Sequence, residues 1–247
     1  MSSGGSEDAA RTSPFDEPPS ARKKGRKNAR PIQGRTRRRR SLDHSVPGSS
    51  AEAPPQQRGA PTYDELVARA KTGDANVDYL ALRNAFAESP NYDPYGSNLR
   101  GLQNDMLDAY RRADCAAVVA KADSILAVNF VHVDAHLLAS LCHGKLGNEQ
   151  AMRRERQAAR GLIDSILRSG DGKSEESAFV VIQISEEYSI LRLLELQPSS
   201  QALIHAQGHS YDRFEAKSSD TGQQVVVFFN IDRPLAALGR ELHPEKR

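Results

Sequence analysis

The sequence predicts an α+β fold in which helical hairpins are followed by a small antiparallel sheet with helices. Three observations predict it. An echo of 34 residues relates Ala113–Ala117 to Gly147–Ala151, the apolar period changes at Gly170, and the chain begins with a long polar segment. Such an echo is typical of stacked helical units. We therefore expect a disordered basic tail (1–60), a helical-repeat-like domain (61–169) and an α+β domain packed on it (170–247).

The tail differs in charge from the rest of the chain. Residues 1–60 carry 13 Lys and Arg against 6 Asp and Glu, a net charge of +7, whereas the remaining residues carry 21 against 26, a net charge of −5. A polar, basic segment of this kind buries too little apolar surface to offset its ordering entropy. We therefore expect it to be disordered.

Eleven cations of the tail form a patch that is typical of sites for nucleic acid, for anionic membrane surfaces or for nuclear import. A solvated tail without a role is an equal alternative, and no Phe or Tyr lies within the patch to stack on bases. Nucleic-acid association therefore stays one alternative function. The patch consists of Arg22, Lys23, Lys24, Arg26, Lys27, Arg30, Arg35, Arg37, Arg38, Arg39 and Arg40.

Hydropathy and cysteine content point to a cytoplasmic chain as the sequence is written. No run approaches the roughly 18 apolar residues of a membrane span, and residues 1–60 lack the apolar run of a signal peptide. Export is the alternative if the true start lies elsewhere. Cys115 and Cys142 lie within helical patterns, which favours buried thiols over a disulfide.

Order is predicted to begin at Thr62. Thr62 and Glu65 have the spacing of a capping box, which starts a helix that runs to about Lys71. A second helix follows Gly73, with apolar residues at helical spacing from Val77 onward, and it ends before Pro90. Four more helices are predicted at about 97–111, 114–128, 133–146 and 149–168.

The 34-residue spacing of these four helices resembles the tetratricopeptide repeat. Asp134-Ala135-His136 opens a first helix, Leu146-Gly147 closes it, and Ala151 and Ala158 are the small residues that let the next helix approach. His136 stands where that family has a large aromatic residue, and the turn is one residue short. The resemblance implies a groove that binds a peptide or protein partner.

Three histidines, His132, His136 and His143, are predicted on one helical face. Their spacing allows a metal site, but His136 and His143 fall on positions that pack one repeat helix against another, and no acidic or thiol ligand has a fixed local spacing to them. We expect packing, with no bound metal and no cofactor.

The C-terminal segment is predicted to hold a three-stranded sheet with helices on one face. Val225–Phe229 is apolar at every position, so we expect it to be the central strand, covered on both faces. The predicted order is a strand at Ala178–Ile182, a helix at Glu186–Leu196, two strands at Gln201–Lys217 and Gln223–Asp232, and a closing helix at Pro234–Leu242.

The sheet end holds the candidate catalytic residues. If Ser218 pairs with Gln223, the numbers of opposite residues sum to 441, which places His209 opposite Asp232 and Tyr211 opposite Asn230. A carboxylate can orient an imidazole for acid–base catalysis, so a hydrolase-like enzyme is the second alternative function. The same four side chains could equally form a structural polar network.

Four motifs resemble an uncharacterised bacterial family, domain of unknown function 4919, over residues from about Tyr63 to Leu242. The resemblance implies no particular activity, although many members of the family look exported. The motifs are Asp-Gly-Lys-Ser at 171–174, Ala-Phe-Val-Val at 178–181 with Glu187-Tyr188, Gly-His-Ser-Tyr-Asp at 208–212 and Phe-Asn-Ile-Asp-Arg-Pro at 229–234.

From these observations we expect a non-enzymatic scaffold. Its helical groove would bind a protein or peptide partner of unknown identity, and the α+β segment would close one end of the helical stack.

Overall fold

The computed structural model describes residues 60–242, and these residues have an α+β fold, as predicted. The tail and its eleven cations lie outside the described residues. The helices are α1 (Tyr63–Lys71), α2 (Tyr79–Ala87), α3 (Arg100–Arg111), α4 (Cys115–Val128), α5 (Val133–Lys145), α6 (Glu149–Leu167), α7 (Ile184–Leu193) and α8 (Asp232–Leu242). The strands are β1 (Phe179–Val180), β2 (Leu196–Ala206), β3 (His209–Ser218) and β4 (Gln224–Asn230).

The starts of the first two helices are fixed by side-chain caps. The Thr62 hydroxyl accepts a hydrogen bond from the Glu65 amide at 3.3 Å, and the Glu65 carboxylate accepts from the Thr62 amide at 2.8 Å. This is the predicted capping box. Asp78 caps α2 by accepting from the Ala81 amide at 2.9 Å. Such caps satisfy amides that have no partner within the helix.

The 34-residue echo has a counterpart in the backbone. Ala113 and Gly147 both follow the end of a helix and both adopt a left-handed conformation, with φ of 58° and 78°. Asp114 and Asn148 then begin the next helices, α4 and α6. Consecutive helices from α3 to α6 pack against each other. The two turns therefore have the same conformation in both units, although only one of them carries a glycine.

The prediction of free thiols is wrong, because Cys115 and Cys142 form a disulfide. Cys115 is the first residue of α4 and Cys142 lies in the last turn of α5. The antiparallel packing of these two helices brings the two Cα atoms to 4.9 Å, within the range that a disulfide spans. Because 27 residues separate the two cysteines, the sequence holds no local signal of this contact.

The sheet has four strands in the order β1-β4-β3-β2, rather than the predicted three. The β1–β4 pairing is parallel, and the other two pairings are antiparallel. The predicted strand Gln201–Lys217 is in fact a hairpin, because Gln207 and Gly208 turn the chain with φ of 52° and 83°. Positive φ at both central residues is the geometry of a tight hairpin turn.

β4 lies inside the sheet as predicted, but only one of its faces is buried. Val227 and Phe229 point into the core, whereas Val226 is 36% exposed on the other face. The continuous apolar run therefore overstated the coverage of this strand. The strand β1 is only two residues long, and it pairs with only the C-terminal end of β4.

The main hydrophobic core lies between the helices and the sheet. It combines Leu82 and Phe86 of α2, Leu162 of α6, and Phe214 and Phe229 of the sheet. The long helix α6 is central to this arrangement, because it packs on α5, α2, α1 and β1. A second core cluster fills the interior of α3, α4 and α5.

The approach of α2 to α6 requires a glycine. A Cβ atom at Gly161 of α6 would lie 2.1 Å from the ring of Tyr79, the first residue of α2. Real Cβ atoms do not approach a ring so closely, so any larger side chain would push the helices apart.

A buried ion pair joins α2 to α7. Arg83 donates to both carboxylate oxygens of Glu186, at 2.9 and 2.7 Å, and both side chains are at most 2% exposed. The guanidinium also donates to the Val180 carbonyl at 3.0 Å and to the Ser165 hydroxyl at 3.3 Å. Glu186 in turn accepts from the Ile182 amide at 2.8 Å. This network connects α2, α6, β1 and α7.

We expect Arg83→Met to lower the free energy of unfolding by about 3–5 kcal/mol, because Glu186 would be left buried without its counter-charge. Urea denaturation without reductant measures the change. The matched control is Arg153→Met, which removes an exposed pair with Glu149 and is expected to cost less than about 1 kcal/mol. Equal costs for the two variants would contradict the role that we assign to the buried pair.

Candidate functional site

The structure brings together the four residues that the sequence predicted at the sheet end. Tyr211 lies opposite Asn230, so the pairing in which residue numbers sum to 441 is confirmed. His209 is the first residue of β3, and Asp232 is the first residue of α8. Because only Ile231 separates β4 from α8, the carboxylate of Asp232 reaches the first residue of the neighbouring strand.

Asp232 is the centre of this cluster. Its Oδ2 atom lies 2.6 Å from His209 Nδ1 and accepts from Asn230 Nδ2 at 3.1 Å, while Oδ1 accepts from the Ser210 amide at 2.7 Å. Burial raises the pKa of Asp232, but these hydrogen bonds and the charge of His209 outweigh it and hold the pKa below its ordinary value. Asp232 is therefore a carboxylate at neutral pH.

The imidazole of His209 is oriented by this contact. Its side chain is 55% exposed, and the ring lies edge-on to Tyr211 with 6.3 Å between ring centroids. With Nδ1 bound to Asp232, the Nε2 atom is the nitrogen that can exchange a proton with another molecule. Tyr211 is buried, which raises the pKa of its hydroxyl.

The neighbouring hydroxyl does not complete a nucleophilic triad. Ser210 follows His209 in β3, so its side chain points to the opposite face of the sheet. There its Oγ atom lies 3.0 Å from Nδ1 of His205. The cluster of His209, Tyr211, Asn230 and Asp232 thus has the parts of an acid–base pair without an adjacent serine.

Sequence reasoning missed a second cluster, on the core face of the sheet. Glu187 of α7 is fully buried, and neither of its carboxylate oxygens has a hydrogen-bond partner of good geometry among the described residues. Asp212 of β3 is 6% exposed and accepts from Gln201 Nε2 at 2.9 Å. The Tyr188 hydroxyl donates to Gln201 Oε1 at 3.4 Å.

Glu187 and Asp212 perturb each other. Burial, then the charge and proximity of Asp212, and then the charge of Glu186 raise the pKa of Glu187 to about 9. Burial also raises the pKa of Asp212. Glu187 therefore holds a proton at neutral pH. The sequence holds one local signal for this cluster. An acidic residue lies on the buried face of α7, and another lies at a core-facing position of β3.

Two of the three histidines of the helical region have hydrogen-bond partners, whereas Nδ1 of His143 is buried without a partner among the described residues. His132 accepts from the Ala135 amide at 3.2 Å and so caps α5, and burial lowers its pKa. His136 is fully buried, with Nδ1 2.6 Å from Glu155 and Nε2 2.7 Å from the Phe130 carbonyl. The predicted packing role agrees with these contacts, because His136 joins α5 to α6 and to the preceding turn.

We expect Glu187 to lower the stability of the protein as the pH rises from about 5 to 9. Glu187 has a higher pKa in the folded chain than in the unfolded chain, so its contribution is complete below the unfolded value and is lost as the pH rises through about 9. The loss is at most roughly 1.4 kcal/mol per pH unit. Urea denaturation at several pH values measures this slope.

The variant Glu187→Gln keeps the size of the side chain and cannot ionise, so it should flatten the slope and be the more stable protein at pH 9. Glu215→Gln is the control, because Glu215 is exposed and its pKa is lowered by Arg213 and Ser200. An unchanged slope in Glu187→Gln would show that Glu187 does not hold the proton.

Comparison with known proteins shows the family of the chain. No helix among residues 60–242 is long and apolar enough to cross a membrane. No curated protein and no solved structure matches the sequence. A family model described as domain of unknown function (DUF4919) matches residues 57–240, which is most of the chain. The chain therefore belongs to the DUF4919 family.

Proposed function

We propose that this protein is a non-enzymatic scaffold that binds a protein or peptide partner through the C-terminal ends of α3 and α5. The observation that carries the proposal is a group of exposed large apolar side chains at these helix ends, which we call the helix-end patch. Leu107 and Tyr110 of α3 are each 39% exposed, and Leu146, directly after α5, is 47% exposed.

Contacts support the continuity of the helix-end patch. Leu107 and Tyr110 are three residues apart in α3 and therefore lie on one face of the helix. Lys145 of α5 places its ammonium group 5.9 Å from the centre of the Tyr110 ring, so the two helix ends are neighbours. Tyrosine and leucine next to a cation form a surface suited to a segment with apolar and acidic side chains.

The repeated turns support the same proposal. Helices α3 and α5 hold equivalent places in the two units, since each is followed by a left-handed residue and then by a second helix, α4 or α6. This arrangement resembles tetratricopeptide units, in which the first helices of successive hairpins line the binding groove. In this chain the helix-end patch belongs to those first helices.

We expect the double variant Leu107→Ser/Tyr110→Ser to weaken partner binding at least about thirtyfold, as loss of a central aromatic anchor costs about 2 kcal/mol or more. Partners captured by the wild-type chain are purified, and their affinities are then measured by calorimetry. Removal of residues 1–60 should leave these affinities unchanged.

The matched control is Leu80→Ser, which removes a similarly exposed leucine, 48% exposed, from α2. The proposal fails if the double variant binds every captured protein as tightly as Leu80→Ser does.

Acid–base catalysis is the second candidate function, because His209 Nδ1 lies only 2.6 Å from a carboxylate of lowered pKa. If the protein turns over an ester, amide or phosphoester substrate, we expect His209→Ala to reduce kcat by about 100-fold or more. His205→Ala is the control, since His205 is an exposed histidine of the adjacent strand that contacts Ser210 instead. Equal losses in both variants would rule out a specific role for His209.

Nucleic-acid association through Arg22–Arg40 stays a prediction from the sequence, since the patch lies outside the described residues.

A further inference from the structure

Among residues 60–242, no strand pairs with the outer side of β2, so this edge of the sheet is open. β2 pairs with β3 on one side and is the last strand in the sheet order. Folded proteins usually protect such an edge with charged side chains, prolines, bulges or a covering element, because its unpaired backbone groups can bind another strand. Pro198 and the register shift between Pro198 and Ser200 interrupt the first part of β2. From Ser200 to Ala206 the strand carries no charged residue, so this half is unprotected.

The backbone groups that face the open edge follow from the ladder. The Ile231 amide donates to the Ser210 carbonyl at 3.0 Å, so the backbone of Ser210 faces the chain that follows β4. His205 lies opposite Ser210, and its own N–H and C=O groups therefore face away from β3. The alternation repeats every second residue. Gln201, Leu203 and His205 thus present backbone donors and acceptors at the open edge.

The side chains along this edge are accessible. Gln201, Ala202, Leu203 and His205 are all exposed. Leu203, at 52%, is the most exposed large apolar side chain among the described residues. An exposed leucine in the middle of an uncharged edge strand is a feature that isolated proteins avoid, since it favours association with another strand.

The sequence of the edge is complementary to itself. An antiparallel pairing of two copies about a two-fold axis at Leu203 makes the numbers of opposite residues sum to 406. At the axis, leucine then lies opposite leucine. Small or apolar residues also lie opposite each other, and on each side of the axis an amide side chain lies opposite an imidazole with which it can form a hydrogen bond. The pairs are Leu203 with Leu203, Ala202 with Ile204, Gln201 with His205, and Ser200 with Ala206.

We propose that two copies of this chain pair through β2, antiparallel about a two-fold axis at Leu203, so that their two four-stranded sheets become one sheet of eight strands. The pairing is isologous, because both copies use the same edge. The assembly therefore stops at a dimer and does not grow into a larger one. A second copy fits this edge best for two reasons. No cross-strand pair in this register brings like charges together, and the residues whose backbone groups face the open edge lie opposite one another. The proposal does not depend on the partner-binding role of α3 and α5.

The first experiment measures mass. Sedimentation of the full chain over a range of concentrations should give twice 27.1 kDa at high concentration and 27.1 kDa on dilution. Leu203→Lys would place two ammonium groups opposite each other at the axis, and we expect it to abolish the dimer. Leu80→Lys is the matched control, since Leu80 is a similarly exposed leucine, at 48%, on α2, and this variant should keep the dimer.

The second experiment tests the register. In a hydrogen-bonded antiparallel pair the Cα atoms are about 5.5 Å apart, which a disulfide can span. Leu203→Cys should therefore cross-link two chains under mild oxidation. In Gln201→Cys the two introduced thiols would be about 13 Å apart along the strands, so this variant should not cross-link alone but should do so together with His205→Cys.

Three outcomes would overturn the proposal: a chain that stays monomeric at every concentration, a dimer that Leu203→Lys leaves intact, or cross-linking of Gln201→Cys as fast as that of Leu203→Cys. A monomeric chain whose β2 edge binds a strand of another protein would also overturn it, because the edge would then serve a different partner.

Discussion

The buried pair of Arg83 and Glu186 is the constraint on which the arrangement of the layers depends. It fixes α7 between the helices and the sheet, because Arg83 comes from α2 and also bonds the carbonyl of β1. Successive residues of a helix point about 100° apart. With Glu186 turned toward α2, the next residue, Glu187, faces the sheet and Asp212. The position of one acid therefore determines the burial of the other, and this burial, together with the nearby Asp212, keeps Glu187 protonated at neutral pH.

Features that depend on neighbouring residues could be predicted from the sequence. The capping box at Thr62 and the helix boundaries near Gly73 and Gly147 rest on contacts within a few residues. The pairing of His209 with Asp232 was also predictable, although 23 residues separate them, because the turn at Ser218–Gln223 fixes the register of both strands. Once that register is set, alternation along the strand determines which side chains share a face.

The features that were missed depend on contacts between distant elements or on unusual local chemistry. Cys115 and Cys142 meet only because α4 and α5 pack antiparallel, and Glu187 meets Asp212 only because α7 crosses the sheet. The turn at Gln207–Gly208 was missed for a different reason. Glutamine seldom adopts positive φ, so Gln-Gly lacks the signal that Asn-Gly would give, and the sequence predicts one strand where the structure has two.

The two proposed binding surfaces lie in different parts of the fold, because the helix-end patch is at the C-terminal end of α5, whereas β2 packs on α7, which contacts the first turn of α5. Its first turn faces the sheet layer, where Asp134 binds Arg192 and Ser189 of α7. Its last residue, Lys145, lies at the helix-end patch. A helix of 13 residues separates these ends by roughly 20 Å. A dimer formed through β2 would therefore leave both copies of the patch uncovered, and two linked patches would bind a repeated partner more tightly than one, since the second contact forms at a high effective concentration. The disulfide links α4 to the end of α5 that carries part of the patch, so the proposed partner surface and the proposed dimer edge are held by separate parts of one fold.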